Sequence, residues 1–332
     1  MKLSILIVNW NSKEYLKSCL NSIRRTCDHL APQLVVVDGG SFDGCDQMIS
    51  SDYPDVEFVQ SQENIGFGRS NNLGFERVAG DHLLLLNPDT ELLPGAVDAM
   101  LSALQDPETG LVGARLLNSD GSLQLSSVHP LPTPWNASID SEWVRQRWWK
   151  NKENVQTPFQ VEAVSGACMM MRSETFRGLN GFDPRYFMYA EDMDLCFRIG
   201  RSGLKILHSP SAQVIHHGGG SSKTTFSKFS VVMVREAVAH YMLYNHGRGQ
   251  MVLHRLLVGI SAMARLLLLF TKWMTMNPNS RHLLANGITK WRTVLRWSIY
   301  QEQIAQRIWR EKSSPADHAG TSFFNFESTT HR

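Results

Sequence analysis

The chain has 332 residues, of which 42% are hydrophobic and 19% charged. That composition excludes wholesale disorder and allows one large or two modest globular domains. The formal net charge is +2, from 33 Lys and Arg against 31 Asp and Glu, but the balance is uneven along the chain. Residues 1–222 hold 18 basic and 26 acidic side chains, a net of −8, whereas residues 223–312 hold 14 basic and 3 acidic, a net of +11. A basic second part predicts a polyanionic partner there, either a membrane surface or nucleic acid.

Taken in chain order, residues 3–8 form a continuous apolar run, the mark of a strand buried on both faces. That run is too short for a signal-peptide core. Residues 12–26 show helical spacing, with Ser12 expected as the N-cap. A second strand over 34–37 ends in the turn composition Asp38-Gly39-Gly40-Ser41. Strands follow at 56–60, 82–86 and 110–117, with helices at 71–79 and 95–105. This alternation predicts an α/β fold with a mostly parallel, doubly wound sheet, whose ligands sit at the carboxyl ends of the strands. Asn9 and Asn11, Asp38, Glu63 and Asn64, and Asn87 and Asp89 fall at four successive strand ends. Each alone is an ordinary turn former. Together they predict a polar crevice suited to a ribose, a nucleobase and a divalent cation.

Residues 118–160 are rich in loop formers (Pro130, Pro132, Pro134) and in tryptophan (Trp135, Trp143, Trp148, Trp149). They read equally as a surface excursion anchored by aromatics and as a mobile flap over a ligand. Further on, Glu191-Asp192-Met193-Asp194 is an acidic cluster in apolar surroundings. A helix over 192–200 places it at a positive dipole end, where one acid would suffice for capping. Three acids with apolar flanks point instead to a partly buried carboxylate, raised toward a useful base. His216 and His217 follow a strand-like run and precede three glycines, a pattern open to a metal ligand or to a structural histidine. Cys19, Cys27, Cys45, Cys168 and Cys196 are odd in number and lack C-x-x-C spacing. They read as reduced thiols of a cytosolic protein.

Six segments in order carry a resemblance: SILIVNWN (4–11), VVVDGGS (35–41), ENIGFGRSNN (63–72), LLNPDTE (85–91), VSGACMMMR (164–172) and GFDPRYFMYAEDMDL (181–195). They resemble family 2 glycosyltransferases of the GT-A fold, most closely bacterial rhamnosyltransferases of cell-surface polysaccharide synthesis. The resemblance implies an inverting, metal-dependent transfer, with L-rhamnose moved from dTDP-rhamnose to a lipid-linked or polysaccharide acceptor. A UDP-hexose donor is the alternative. By position it places Asp38 on the nucleobase or ribose, with the backbone of Val8 and Asn9 alongside, and Asn64, Gly66 and Arg69 by the nucleotide and sugar. Asn87-Pro88-Asp89 is similar to an Asp-x-Asp motif with its first Asp replaced, so Asn87 falls on the nucleotide-sugar side. Asp89 is then the ligand of Mg²⁺ or Mn²⁺, with His216 as second ligand. Asp192 falls at the catalytic base, with Glu191 and Gly166 on the acceptor side. Two departures stand out: Gly39-Gly40 replaces the usual acid or amide after Asp38, and residues 124–129 offer only His129 where a basic residue is expected.

The expected division is a catalytic domain over 1–222, a basic helical segment over 223–312 and a disordered tail over 313–332. Helical spacing covers 231–246 and 252–274. The longest uncharged stretch at the start of 256–270 is interrupted by Arg265, well short of the roughly 20 apolar residues a spanning helix requires. A spanning helix is therefore the weakest of three readings, and the other two stand level. One is an amphipathic hairpin on an anionic membrane, with Trp273, Trp291, Trp297 and Trp309 near Lys and Arg; the other is a lid packed on the catalytic domain. The expected location is peripheral, on the cytoplasmic face of the inner membrane, with a homo-oligomer left open. No G-x-G-x-x-G follows the first strand, which argues against a dinucleotide oxidoreductase. The acidic crevice argues against nucleic acid, and intact Asp89 and Asp192 argue against a non-catalytic sugar-nucleotide sensor.

Overall fold

The computed structural model describes residues 2–300 apart from 42, 140–145, 147, 148, 150, 151, 153, 154 and 219–227. The expected tail, Trp143, Trp148 and Trp309 lie outside the described residues. Strands β1 (Leu3–Asn9), β2 (Gln33–Asp38), β3 (Glu57–Gln60) and β4 (His82–Leu86) pair in parallel in the order β3-β2-β1-β4. Their side chains alternate between two cores. Ile5, Ile7, Val36 and Leu84 pack toward α1 (Lys13–Cys27), α2 (Cys45–Asp52) and α4 (Ala96–Ala103), which follows β5 (Thr90–Leu92). Leu6, Val35, Leu83 and Leu85 pack on the other face, beneath α3 (Phe67–Phe75) and later helices. Burial on both faces is why these strands read as unbroken apolar runs.

Beyond β4 the sheet becomes mixed. Strand β6 (Thr109–Leu117) leads into an excursion holding β7 (Val128–His129), α5 (Asn136–Ile139), β8 (Phe159–Gln160) and β9 (Ala163–Val164). Next come β10 (Cys168–Arg172), α6 (Ser173–Gly178), α7 (Glu191–Arg201) and β11 (Lys205–His216). Strand β10 lies antiparallel between β4 and β6. Strand β11 runs parallel to β6 with a register shift between Ser209 and Gln213, and β5 and β8 join β11 antiparallel. The mostly parallel expectation therefore holds for the first four strands, and β5 and β10 were not anticipated. In the excursion, Trp149 is buried and donates Nε1–H to the Leu125 carbonyl at 2.9 Å, so this aromatic anchors it, while Trp135 is exposed. All five cysteines are free and buried.

Two helix starts differ from the sequence reading. Ser12 does not cap α1, because its hydroxyl donates to the Trp10 carbonyl at 3.0 Å. The amide of Lys13 instead donates to Asp43 Oδ2 at 2.9 Å. Helix α3 begins at Phe67 and not near residue 71, since Gly66 holds φ +88° and its amide donates to Asn64 Oδ1 at 2.9 Å.

The basic segment folds as α8 (Lys228–His246), α9 (Arg248–Thr275) and α10 (Ala285–Ile299) around Val232, Ala239, Val258, Ala262, Val294 and Trp297. Ala237, Tyr241 and Met242 of α8 pack on Tyr186 and Ala190, just before α7. The helices thus rest on the part of the chain next to the acidic cluster. Among the described residues α9 is long and apolar enough to cross a membrane by length and composition.

Candidate active site

Parallel pairing aligns the carboxyl ends of β1 and β2, so Asn9 stands opposite Asp38. Asp38 has no exposed surface, and its carboxylate is saturated from within the protein. Asn9 Nδ2 (2.8 Å) and Cys45 Sγ (3.3 Å) donate to Oδ1, and the Ser41 amide (2.7 Å) and Gln60 Nε2 (2.8 Å) to Oδ2. Asp38 is therefore the organiser of the 39–45 turn. The acid expected to meet a nucleobase or ribose is thus enclosed by four protein donors in this structure. Asn9 is equally enclosed, and its backbone carbonyl accepts from Gly39 at 2.8 Å. Val8 beside it is partly exposed.

Asn64, Gly66 and Arg69 sit where the loop before α3 meets the loop before α7. The Phe67 amide donates to the Phe187 carbonyl at 3.0 Å, and a Cβ on Gly66 would stand 2.3 Å from that oxygen. Arg69 Nε donates to the Pro184 carbonyl at 2.7 Å. Asn72 accepts from the Phe182 amide at 2.9 Å and donates to the Phe182 carbonyl at 2.8 Å. The segment from Gly66 to Asn72 thus clips the 182–187 loop in place. That loop ends with Tyr189 and Ala190 at φ +71° and +64°, two consecutive left-handed residues directly before Glu191. Non-glycine residues hold such angles only where their surroundings over-determine them.

The two acids at the start of α7 have contrasting environments. Asp192 is partly exposed, accepting from the Gly166 amide at 3.0 Å and from the Met193 amide at 2.8 Å. Glu191 is buried, its Oε2 has no partner among the described residues, and Gly68 leaves room for its side chain. Burial, followed by the negative charge of Asp192, pushes the Glu191 carboxyl well above the usual carboxylate range. A buried acid that keeps its proton, directly beside a partly exposed carboxyl, is an arrangement suited to proton transfer. The third acid, Asp194, is structural. It pairs with Arg198 at 2.7 Å and accepts from Asn245 of α8 at 2.9 Å.

Asn87 and Asp89 join this acidic pair through one short stretch of backbone. The Asn87 amide donates to the Ala167 carbonyl at 2.9 Å, one residue from the Gly166 amide that holds Asp192. Asn87 Oδ1 is buried without a partner among the described residues. Asp89 Oδ1 lies 3.4 Å from His216 Nε2, at the end of β11. His216 Nδ1 lies 2.7 Å from Gln124 Oε1, an oxygen that only accepts, so Nδ1 carries the hydrogen. Nε2 is left beside a carboxylate, and as a metal ligand it would offer a lone pair there, a donor pair that fits a divalent cation, with Gln124 orienting the ring. No group of three or more His, Cys, Asp or Glu gathers for a metal among the described residues. A cation here would complete its shell with ligand oxygens and water. His217 is engaged elsewhere, on Glu91 at 2.9 Å and Ser119 at 2.8 Å. Gln124 was not foreseen. It stands where a basic residue was expected, and 92 positions separate it from His216.

This sheet, with acids at its strand ends and at the start of α7, has the architecture of a GT-A glycosyltransferase. Residues 4–179 match the family described as glycosyl transferase family 2, and the chain belongs to that family. Residues 148–218 also match a description reading N-terminal domain of galactosyltransferase. The N-acetylglucosaminyl-diphospho-decaprenol L-rhamnosyltransferase of Mycobacterium tuberculosis is 29% identical over 239 residues, covering 66% of this chain and 77% of that protein. The rhamnosyltransferase WbbL of Escherichia coli is 25% identical over 232 residues, covering 68% of this chain and 86% of its own. Among solved structures, the mannosyltransferase PcManGT of Pyrobaculum calidifontis, in complex with GDP-Man and Mn2+, has a TM-score of 0.55 at 16% identity. That likeness covers 94% of this chain and 88% of that one, and at such identity it speaks to the fold.

Proposed function

We propose that the chain transfers L-rhamnose from dTDP-rhamnose, with inversion, to a lipid-linked or polysaccharide acceptor in cell-envelope glycan synthesis. The work would be done at the cytoplasmic face of the inner membrane. The rhamnosyltransferase relatives support the sugar, and the decaprenol-linked acceptor in the name of one of them supports the acceptor class. The observation that carries the chemistry is a partly exposed Asp192 beside the buried, proton-retaining Glu191, linked through the Gly166–Ala167 and Asn87 backbone to the strand end that carries Asp89 and His216.

In this reading Asp89 and His216 hold a Mg²⁺ or Mn²⁺ ion, which when bound offsets the negative charge of the departing nucleoside diphosphate. Asp192 accepts the proton of the attacking hydroxyl, and the Gly166 amide keeps its carboxylate aimed as that proton arrives. Glu191, neutral beside it, adds no second charge and can donate a hydrogen bond to the acceptor. With a single base and direct attack, the anomeric centre inverts. Asn64, Gly66 and Arg69 line the nucleotide-sugar side. Recognition of the base falls to the backbone around Val8 and Gly39, since Asp38 is enclosed.

Mass spectrometry of products with a panel of nucleotide sugars and Mn²⁺ tests this. Rhamnosyl transfer from dTDP-rhamnose is expected to exceed transfer from UDP-glucose, UDP-N-acetylglucosamine or GDP-mannose. A preference for any of those three would contradict the donor assignment.

A further inference from the structure

We propose that one face of α9 is a membrane-insertion surface, seating the helix in the plane of an anionic leaflet. The inference rests on the lipid-linked acceptor reading for its purpose, and on the surface itself for its physics. Val252, Leu256, Ile260, Met263, Leu267 and Met274 recur at helical spacing and are 43–64% exposed. They form a ribbon about 33 Å long at 1.5 Å per residue, with no charged side chain on it. Isolated exposed apolar residues are ordinary, but a continuous stripe of this length marks an interaction site.

The two arginines in the middle of α9, Arg255 and Arg265, point the other way. Arg255 donates to the carbonyls of Trp297 and Tyr300 and pairs with Glu236 at 3.7 Å. Arg265 donates to Ser261 and to the Ile139 carbonyl, with its guanidinium 4.3 Å from the Trp291 ring centre. Trp297 is likewise inward, donating to Glu236. A helix with arginines packed along one side and an apolar ribbon along the other lies in an interface; it does not cross it.

Charge decides between a bilayer and a second copy of this chain. Residues 228–300 carry ten Lys and Arg and a single acid, Glu236. Two copies meeting on this face would bring like charges together, whereas an anionic headgroup layer neutralises them. At the ribbon's end, Trp273 stacks on Phe270 at 6.2 Å and carries the Arg281 guanidinium 4.1 Å from its ring centre. Such an aromatic and cation pair suits headgroup depth. The sequence reading placed the attraction in exposed charge and four tryptophans. The structure turns Arg255, Arg265 and Trp297 inward, so apolar insertion carries the binding and should survive screening.

Flotation of the full chain with phosphatidylglycerol-containing vesicles, with no sugar donor or acceptor, tests the surface apart from the chemistry. The parent should remain vesicle-bound at about 1 M salt, where the Debye length is about 3 Å. The triple variant L256E/I260E/L267E, at an unchanged melting temperature, should lose at least tenfold in bound fraction while keeping turnover on a soluble acceptor analogue. Flotation without turnover in either chain would leave the surface standing and remove the catalytic reading. Release of the parent at high salt, equal flotation of the variant, or a parent dimer that the variant breaks would overturn the proposal.

Discussion

At the scale of single residues, identity and role come apart. Asp192 and Glu191 are adjacent and chemically alike, yet one accepts two backbone amides and the other is buried against it. A carboxyl held above its ordinary pKa keeps its proton in the folded state after the unfolded chain has lost it. The stability this contributes is full below the ordinary carboxylate range and is lost as pH rises through the elevated value. Relative to Glu191→Gln, which keeps the shape without the charge, the parent should therefore lose stability between about pH 5 and about pH 9. The gap should grow by up to about 1.4 kcal/mol for each unit of elevation. Chemical denaturation across that range checks it, and parallel stability profiles would refute the assignment. The acids were legible in the sequence because three in an apolar context exceed what a helix cap requires. The enclosure of Asp38 was not, since Asn9, Cys45 and Gln60 reach it only through strand pairing and a turn. Gln124 was hidden for the same reason.

At the scale of elements, the catalytic helix is positioned by what touches the loop ahead of it. Gly66 makes one of the tightest of these contacts: a Cβ there would stand 2.3 Å from the Phe187 carbonyl, on a backbone at φ +88°. Gly95 provides the control, with φ +78° and nothing within 4 Å of the same position. Gly95→Ala should lose about 1 kcal/mol of stability from backbone strain alone and keep its turnover. Gly66→Ala should lose about 2–3 kcal/mol and also at least tenfold in turnover, because the 182–190 loop must move. Denaturation midpoints with turnover on each variant separate the two, and equal turnover would remove the clip from the account. The parallel strands were readable as unbroken apolar runs buried on both faces. Strands β5 and β10 were not: one is three residues long, and the other is a methionine-rich run whose antiparallel insertion no local period signals. The start of α3 was misplaced because a left-handed glycine and an asparagine oxygen, not a periodic pattern, set it.

At the scale of the whole molecule, the charge asymmetry divides the chain into an acidic part that holds the crevice and a basic part that packs against it. Asn245 of α8 reaches Asp194, and Tyr241 and Met242 cover Tyr186, so the helices support the catalytic turn while α9 shows an apolar face outward. The sequence showed the split; it could not show that α8 and α9 face different ways. The account centres on a division of labour between Asp89, which would hold a cation, and Asp192, which would take a proton only as the bond forms. Calorimetric titration of dTDP-rhamnose with Mn²⁺, beside turnover, on Asp192→Asn and Asp89→Ala tests that division most directly. Asp192→Asn should bind donor nearly as the parent does while losing roughly 10²–10⁴-fold in turnover, the usual range for a general base. Asp89→Ala should lose metal-dependent donor binding as well as turnover. Near-parental turnover in Asp192→Asn, or a loss of donor binding equal to that of Asp89→Ala, would contradict the account.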